Sequence, residues 1–161
     1  MQIRRGFYLH KIIEKKDNGR VKIITGIRRC GKSYLLFHLY RDYLLSSGIE
    51  DGQIISIALD EIDTLEYRNP FKLNDYIKEK TQDETKKYYV FIDEIQLSIA
   101  VKNPYLESDE KTVTFVDVLL GLMKRDNLDI YVTGSNSKML SRDILTQFRD
   151  RGDEIHINPL S

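Results

Sequence analysis

Gly26-Ile27-Arg28-Arg29-Cys30-Gly31-Lys32-Ser33 has the spacing G-x-x-x-x-G-K-S, and its two flanks decide how the chain folds. Before it runs Val21-Lys22-Ile23-Ile24-Thr25, short and mostly apolar, which reads as a strand. After it comes Tyr34-Leu35-Leu36-Phe37-His38-Leu39-Tyr40-Arg41-Asp42-Tyr43-Leu44-Leu45, apolar at helical spacing and stopped by Gly48. A strand, a glycine loop and a helix in that order make an anion cradle. Gly26 and Gly31 allow backbone angles that a side chain disfavours, so successive N–H groups turn inward, and the helix N-terminus adds its positive dipole end.

The occupant that suits this cradle is a nucleoside triphosphate. Gly26, Ile27, Arg28, Arg29, Cys30, Gly31, Lys32, Ser33 and the following Tyr34 are the residues expected to contact it. The Lys32 ammonium can reach the β- and γ-phosphates, and the Ser33 hydroxyl can ligate the Mg²⁺ that bridges them.

Outward from the loop, four more segments read as strands, at 53–59, 88–92, 130–133 and 154–157, added to the one at 21–25. Several are continuously apolar, as parallel strands covered on both faces tend to be. Helical patterns lie between them at 33–46, 73–80, 114–125 and 137–149, with an opening helix at 6–16. Strands alternating with helices require right-handed crossovers. The expectation is therefore an α/β three-layer sandwich on a parallel sheet, with ligands at the carboxyl edge of the strands. The stretch 98–111, with Asn103-Pro104 and the acidic Glu107-Ser108-Asp109-Glu110, reads as a long loop.

The second motif is Tyr88-Tyr89-Val90-Phe91-Ile92-Asp93-Glu94, an apolar strand ending in two carboxylates. Its tip falls at the same sheet edge as the glycine loop. Asp93 suits Mg²⁺ and Glu94 is placed to polarise the water that attacks the γ-phosphate. A third candidate is Asp129-Ile130-Tyr131-Val132-Thr133-Gly134-Ser135-Asn136, a strand expected between the other two. Thr133, Ser135 or Asn136 could then bond the γ-phosphate or hold the water, although Gly-Ser-Asn is also an ordinary turn and helix cap.

Composition narrows the partners. The 161 residues carry 25 basic and 25 acidic side chains, so the whole chain gives no electrostatic case for wrapping nucleic acid or adhering to an anionic membrane. Residues 1–22 are locally basic, with Arg4, Arg5, Lys11, Lys15, Lys16, Arg20 and Lys22, which offers a weak nucleic-acid surface or a solvated face. The lone Cys30 excludes an internal disulfide, and His10, His38 and His156 have no metal-ligand spacing. Neither a signal peptide nor a membrane-spanning run is visible, and a cytoplasmic location is expected.

The motifs taken together resemble the N-terminal ATPase domain of a prokaryotic AAA-type family whose members carry a second, C-terminal domain. The segments that match are Gly26 through Leu36, Phe91-Ile92-Asp93-Glu94-Ile95-Gln96, Thr133-Gly134-Ser135-Asn136-Ser137-Lys138-Met139-Leu140-Ser141, and Phe148-Arg149-Asp150-Arg151-Gly152-Asp153-Glu154. The resemblance covers essentially the whole chain as one domain, 1–161. It implies a P-loop sheet ordered 5-1-4-3-2, ATP with Mg²⁺, and a homo-oligomer in which Arg149 or Arg151 completes a neighbour's site. Helix-dipole and acid pairing is the structural alternative for both arginines. The chain stops just after the fifth strand, and a further domain bearing effector specificity is expected beyond it.

An ATP-hydrolysing motor or switch is the function these readings favour. A GTPase is disfavoured because no Asn-Lys-x-Asp string occurs. Two alternatives stay open: a nucleotide-gated interaction module with negligible turnover, and a small-molecule kinase.

Overall fold

A computed structural model describes residues 2–26, 31–105, 112–135, 146–148 and 151–158, the first four of them by backbone alone. Ile27, Arg28, Arg29, Cys30, Asn136, Arg149 and most of the helix expected at 137–149 lie outside the described residues.

Five parallel strands form the central sheet: β1 Val21–Gly26, β2 Ile54–Ala58, β3 Tyr88–Asp93, β4 Leu128–Ser135 and β5 Gly152–His156. Their order is β2-β3-β4-β1-β5, every neighbouring pair parallel. This is the expected 5-1-4-3-2 arrangement, and β4 lies between the two motif strands. Register sets Gly26 beside Ser135, Ile92 beside Val132 and Ala58 beside Asp93, so the strand ends are level along one carboxyl edge.

Continuously apolar strands are buried on both faces because each face packs helices. Ile23, Val90, Ile92, Ile130 and Val132 point to a core shared with α3 (Pro70–Lys80) and α4 (Phe115–Leu122). The alternate residues Ile24, Tyr89, Phe91 and Tyr131 point the other way, against α1 (Gln2–Lys15) and α2, which spans 32–46. Local signals fix the helix starts. Asn69 Oδ1 accepts from Phe71 N at 2.9 Å with Pro70 at the first helical position, and Thr114 forms a reciprocal capping box with Asp117.

Three features depart from the sequence reading. Within α2, Leu35–Tyr40 is wound as a π-helix, a form concentrated at functional sites. Residues Ile62–Arg68 form 3₁₀ turns ahead of α3. The stretch expected as a loop at 98–111 is entered and left by a two-residue antiparallel ladder, Val101 with Val113 and Lys102 with Thr112.

Among the described side chains of the basic N-terminal stretch, four pair with acids of the chain. Lys22 is wholly buried on β1 against Asp129, 2.5 Å away, while Lys16 pairs with Asp17 and both Lys15 and Arg20 pair with Asp153. Asp129 also accepts from Asp17 N at 2.9 Å and from Tyr131 Oη at 2.5 Å, and Tyr131 Oη meets Tyr40 Oη at 2.6 Å. A buried polar chain therefore runs from the start of β1 to the end of the π-helical stretch. Burial pushes the Lys22 ammonium down, and the Asp129 carboxylate beside it opposes that shift.

Candidate functional site

The site is assembled where β1, β3 and β4 end. Gly31 stands at the N-cap of α2 with φ 95° and ψ 14°, a left-handed conformation that selects glycine. That backbone angle is itself a restriction on any residue with a Cβ. From that cap the helix begins with Lys32, whose ammonium donates to Gly26 O at 3.0 Å and is buried at the mouth of the loop.

Ser33 comes next, and its hydroxyl donates to Asp93 Oδ1 at 2.7 Å. The same carboxylate oxygen accepts from Thr133 Oγ1 at 2.5 Å. Thr133 Oγ1 in turn accepts from Glu94 N at 2.9 Å. One hydroxyl of β4 therefore ties the tip of β3 to its own strand, and one carboxylate ties both to the first turn of α2. Burial pushes the Asp93 carboxyl up; the Thr133 and Ser33 hydroxyls pull it back, and the Glu94 and Asp60 carboxylates add to the rise. A divalent cation at that oxygen would offset the burial cost.

Glu94 leaves β3 in a left-handed backbone, φ 58° and ψ 51°, and caps the 3₁₀ turn Ile95–Leu97. Its carboxylate accepts from Gln96 Nε2. Beside Ser33 and Asp93 a groove of about 580 Å³ opens toward β2, walled by Tyr34, His38, Ala58, Asp60 and Glu61. Tyr34 is exposed on its rim and stacks on His38, ring centroids 5.0 Å apart.

The sequence candidates are thus sorted. Gly26, Gly31, Lys32, Ser33, Asp93, Glu94 and Thr133 converge, with Ser135 beside Gly26 at the same edge. Thr133 donates its single proton to Asp93 and accepts from the Glu94 backbone N–H. Arg151 is elsewhere. Its carbonyl accepts from Val21 N at 2.7 Å, where β1 begins, whereas the phosphate loop follows the end of β1. Five residue steps of strand separate those ends by about 16 Å, more than a guanidinium spans. Arg151 instead lines an outer cavity of about 360 Å³ with Asp117, Leu120, Gly121 and Lys124. Among the described residues, no group of three or more His, Cys, Asp or Glu could hold a metal unaided, and no helix is long and apolar enough to cross a membrane.

Sheet order, glycine loop and acidic strand tip define the fold of a P-loop nucleoside triphosphatase. The model of the family described as AAA domain matches residues 18–161, and the chain belongs to that family. An uncharacterised protein of Haemophilus influenzae is 35% identical over 159 residues, covering 99% of this chain and 36% of that protein. Another, from Methanocaldococcus jannaschii, is 31% identical over 146 residues, covering 88% of this chain and 27% of its own length. The chain thus spans about a third of the curated relatives it matches. Among solved structures, a DNA polymerase III gamma subunit-related protein of Thermotoga maritima superposes with a TM-score of 0.61 at 12% identity, covering 96% of this chain and 46% of that one. That likeness is one of fold.

Proposed function

We propose that this domain binds ATP with Mg²⁺ at the carboxyl edge of its sheet and hydrolyses it, as the motor or switch of a larger protein. The observation that carries the reading is the convergence of Ser33 and Thr133 on Asp93 Oδ1 beside Glu94. Ser33 with Asp93 is the pair that would hold Mg²⁺, which would supply positive charge against the phosphates. Lys32 brings its ammonium to the phosphate oxygens from the mouth of the loop. Glu94 accepts the proton of the attacking water as the new O–P bond forms and the β–γ bridging bond breaks, releasing ADP and phosphate.

A thermal melt tests binding. Mg-ATP at a hundredfold excess over its dissociation constant stabilises the folded chain by about 2.7 kcal/mol, roughly 5–10 °C in midpoint at this size. Lys32→Ala should abolish that shift. An unshifted wild-type midpoint would sink the reading.

Arg151 cannot reach its own phosphate loop, so any catalytic use lies on a neighbouring subunit. Assembly is then part of the reaction. Turnover per subunit is expected to rise with protein concentration, and Arg151→Ala is expected to depress it with ATP affinity kept. Concentration-independent turnover that ignores the substitution would leave Arg151 with a structural role.

The groove beside Ser33 and Asp93 favours one other reading, phosphoryl transfer to a small acceptor seated against Asp60 and Glu61. Inorganic phosphate released in step with ADP separates hydrolysis from transfer.

A further inference from the structure

The segment Asp93-Glu94-Ile95-Gln96 ends on a side chain to which the chemistry above gives no task. Leu97 N donates to Glu94 O at 3.0 Å, closing a turn that sets the Gln96 carboxamide against the Glu94 carboxylate, with Nε2 donating to Oε2. Glu94 N is meanwhile held by Thr133 Oγ1 at 2.9 Å. Backbone and side chain of the same residue are both held, the backbone by two hydrogen bonds and the carboxylate by Gln96.

This arrangement is costly in two ways. Glu94 adopts a left-handed backbone, which disfavours a residue with a Cβ. The other half of the Gln96 amide, Oε1, is buried and has no hydrogen-bond partner among the described residues. A buried acceptor without a donor destabilises a fold, and an unbranched apolar side chain of the same length would remove that cost. Stability alone would favour methionine here. Two local costs meet at one carboxylate.

We propose that Gln96 is a positioning residue for Glu94. Its Nε2 proton occupies Oε2, which leaves Oε1 of Glu94 as the oxygen that takes the water's proton and holds the carboxylate in one rotamer. The inference rests on the proposed role of Glu94 as the base. A glutamate without that restraint distributes over several rotamers, and restricting them is worth roughly a tenfold factor in rate.

The test is Gln96→Met, which keeps the length and removes the donor. Expected are a fall in kcat of roughly tenfold, an unchanged KM for Mg-ATP and a thermal midpoint equal to or above that of the wild type. A variant that melts lower while keeping kcat would make Gln96 merely structural and overturn the proposal. A rise in KM at constant kcat would also overturn it, by placing Gln96 in binding. A readout independent of turnover is the side-chain amide signal of Gln96 in ¹⁵N-labelled protein. One Nε2 proton is expected to resonate downfield and to return to its ordinary position in Glu94→Ala. A signal that ignores Glu94→Ala overturns the contact itself. A wild-type chain without ATPase activity, yet with the shifted amide signal, would instead remove Glu94 as base and leave the contact standing.

Discussion

Glu94→Gln is expected to lower steady-state ATP turnover by about two orders of magnitude while ATP affinity stays within a few-fold of wild type. The amide keeps the size of the side chain and can still accept from Gln96 Nε2, and Glu94 N keeps its bond to Thr133. What disappears is the negative charge proposed to take the water's proton. Phosphate release measured beside the nucleotide-dependent melting shift separates the two effects. A variant that turns over as fast as the wild type moves the base elsewhere.

The largest effect on stability is expected from the buried pair on β1 and β4. Lys22 and Asp129 are 0% and 1% exposed, so Asp129→Ala strands an ammonium in the core with Asn18 Oδ1, at 3.0 Å, as its remaining oxygen partner and the Tyr131 ring beside it. Removing one partner of a buried ion pair costs about 3–5 kcal/mol. In a domain of this size that lowers the melting midpoint by roughly 6–20 °C. Asp129 also serves Asp17 N and Tyr131 Oη, so an apolar double replacement would leave those donors unmet. The pair Lys22→Met with Asp129→Asn keeps an acceptor for them and removes both charges. It is expected to recover most of the loss, by chemical or thermal denaturation. A single Asp129→Ala variant that melts within a degree or two of wild type would refute the account.

Much of the architecture was legible because the strands announce themselves locally. Every residue of Tyr88–Asp93 and of Val21–Gly26 is buried, and a largely apolar run with two covered faces reads as parallel strand without knowledge of its neighbours. The loop glycine at Gly31 and the carboxylates at 93 and 94 are likewise local signals. Lys22 was not legible. It belongs to a basic stretch that reads as a solvated face, and its partner is 107 residues away. Nor could sequence rank Thr133 above Ser135, since both are small hydroxyl residues at a strand end. The fold separates them by facing the Thr133 hydroxyl to Asp93 and Glu94 N. The left-handed backbone of Glu94 had no sequence signal, because glutamate rarely marks such a turn. At Leu35–Tyr40 the apolar spacing fits α and π winding almost equally well.

That π-helical stretch bears on how the chain can change length. A π turn holds about one residue more than an α turn, which is the mark that a single inserted residue leaves in a helix whose two ends are fixed. Here both ends are fixed, by Gly31 and Lys32 at the phosphate loop and by Tyr40 on Tyr131. The helix therefore contains a slack residue between two anchors. Loss of one residue within 35–40 can be absorbed by tightening to α winding. Loss of one residue at 41–43, between the second anchor and the buried Leu44, turns everything downstream by about 100° and carries Leu44 off its buried face. A single-residue deletion is accordingly expected to be better tolerated in the first half of this helix than in the second.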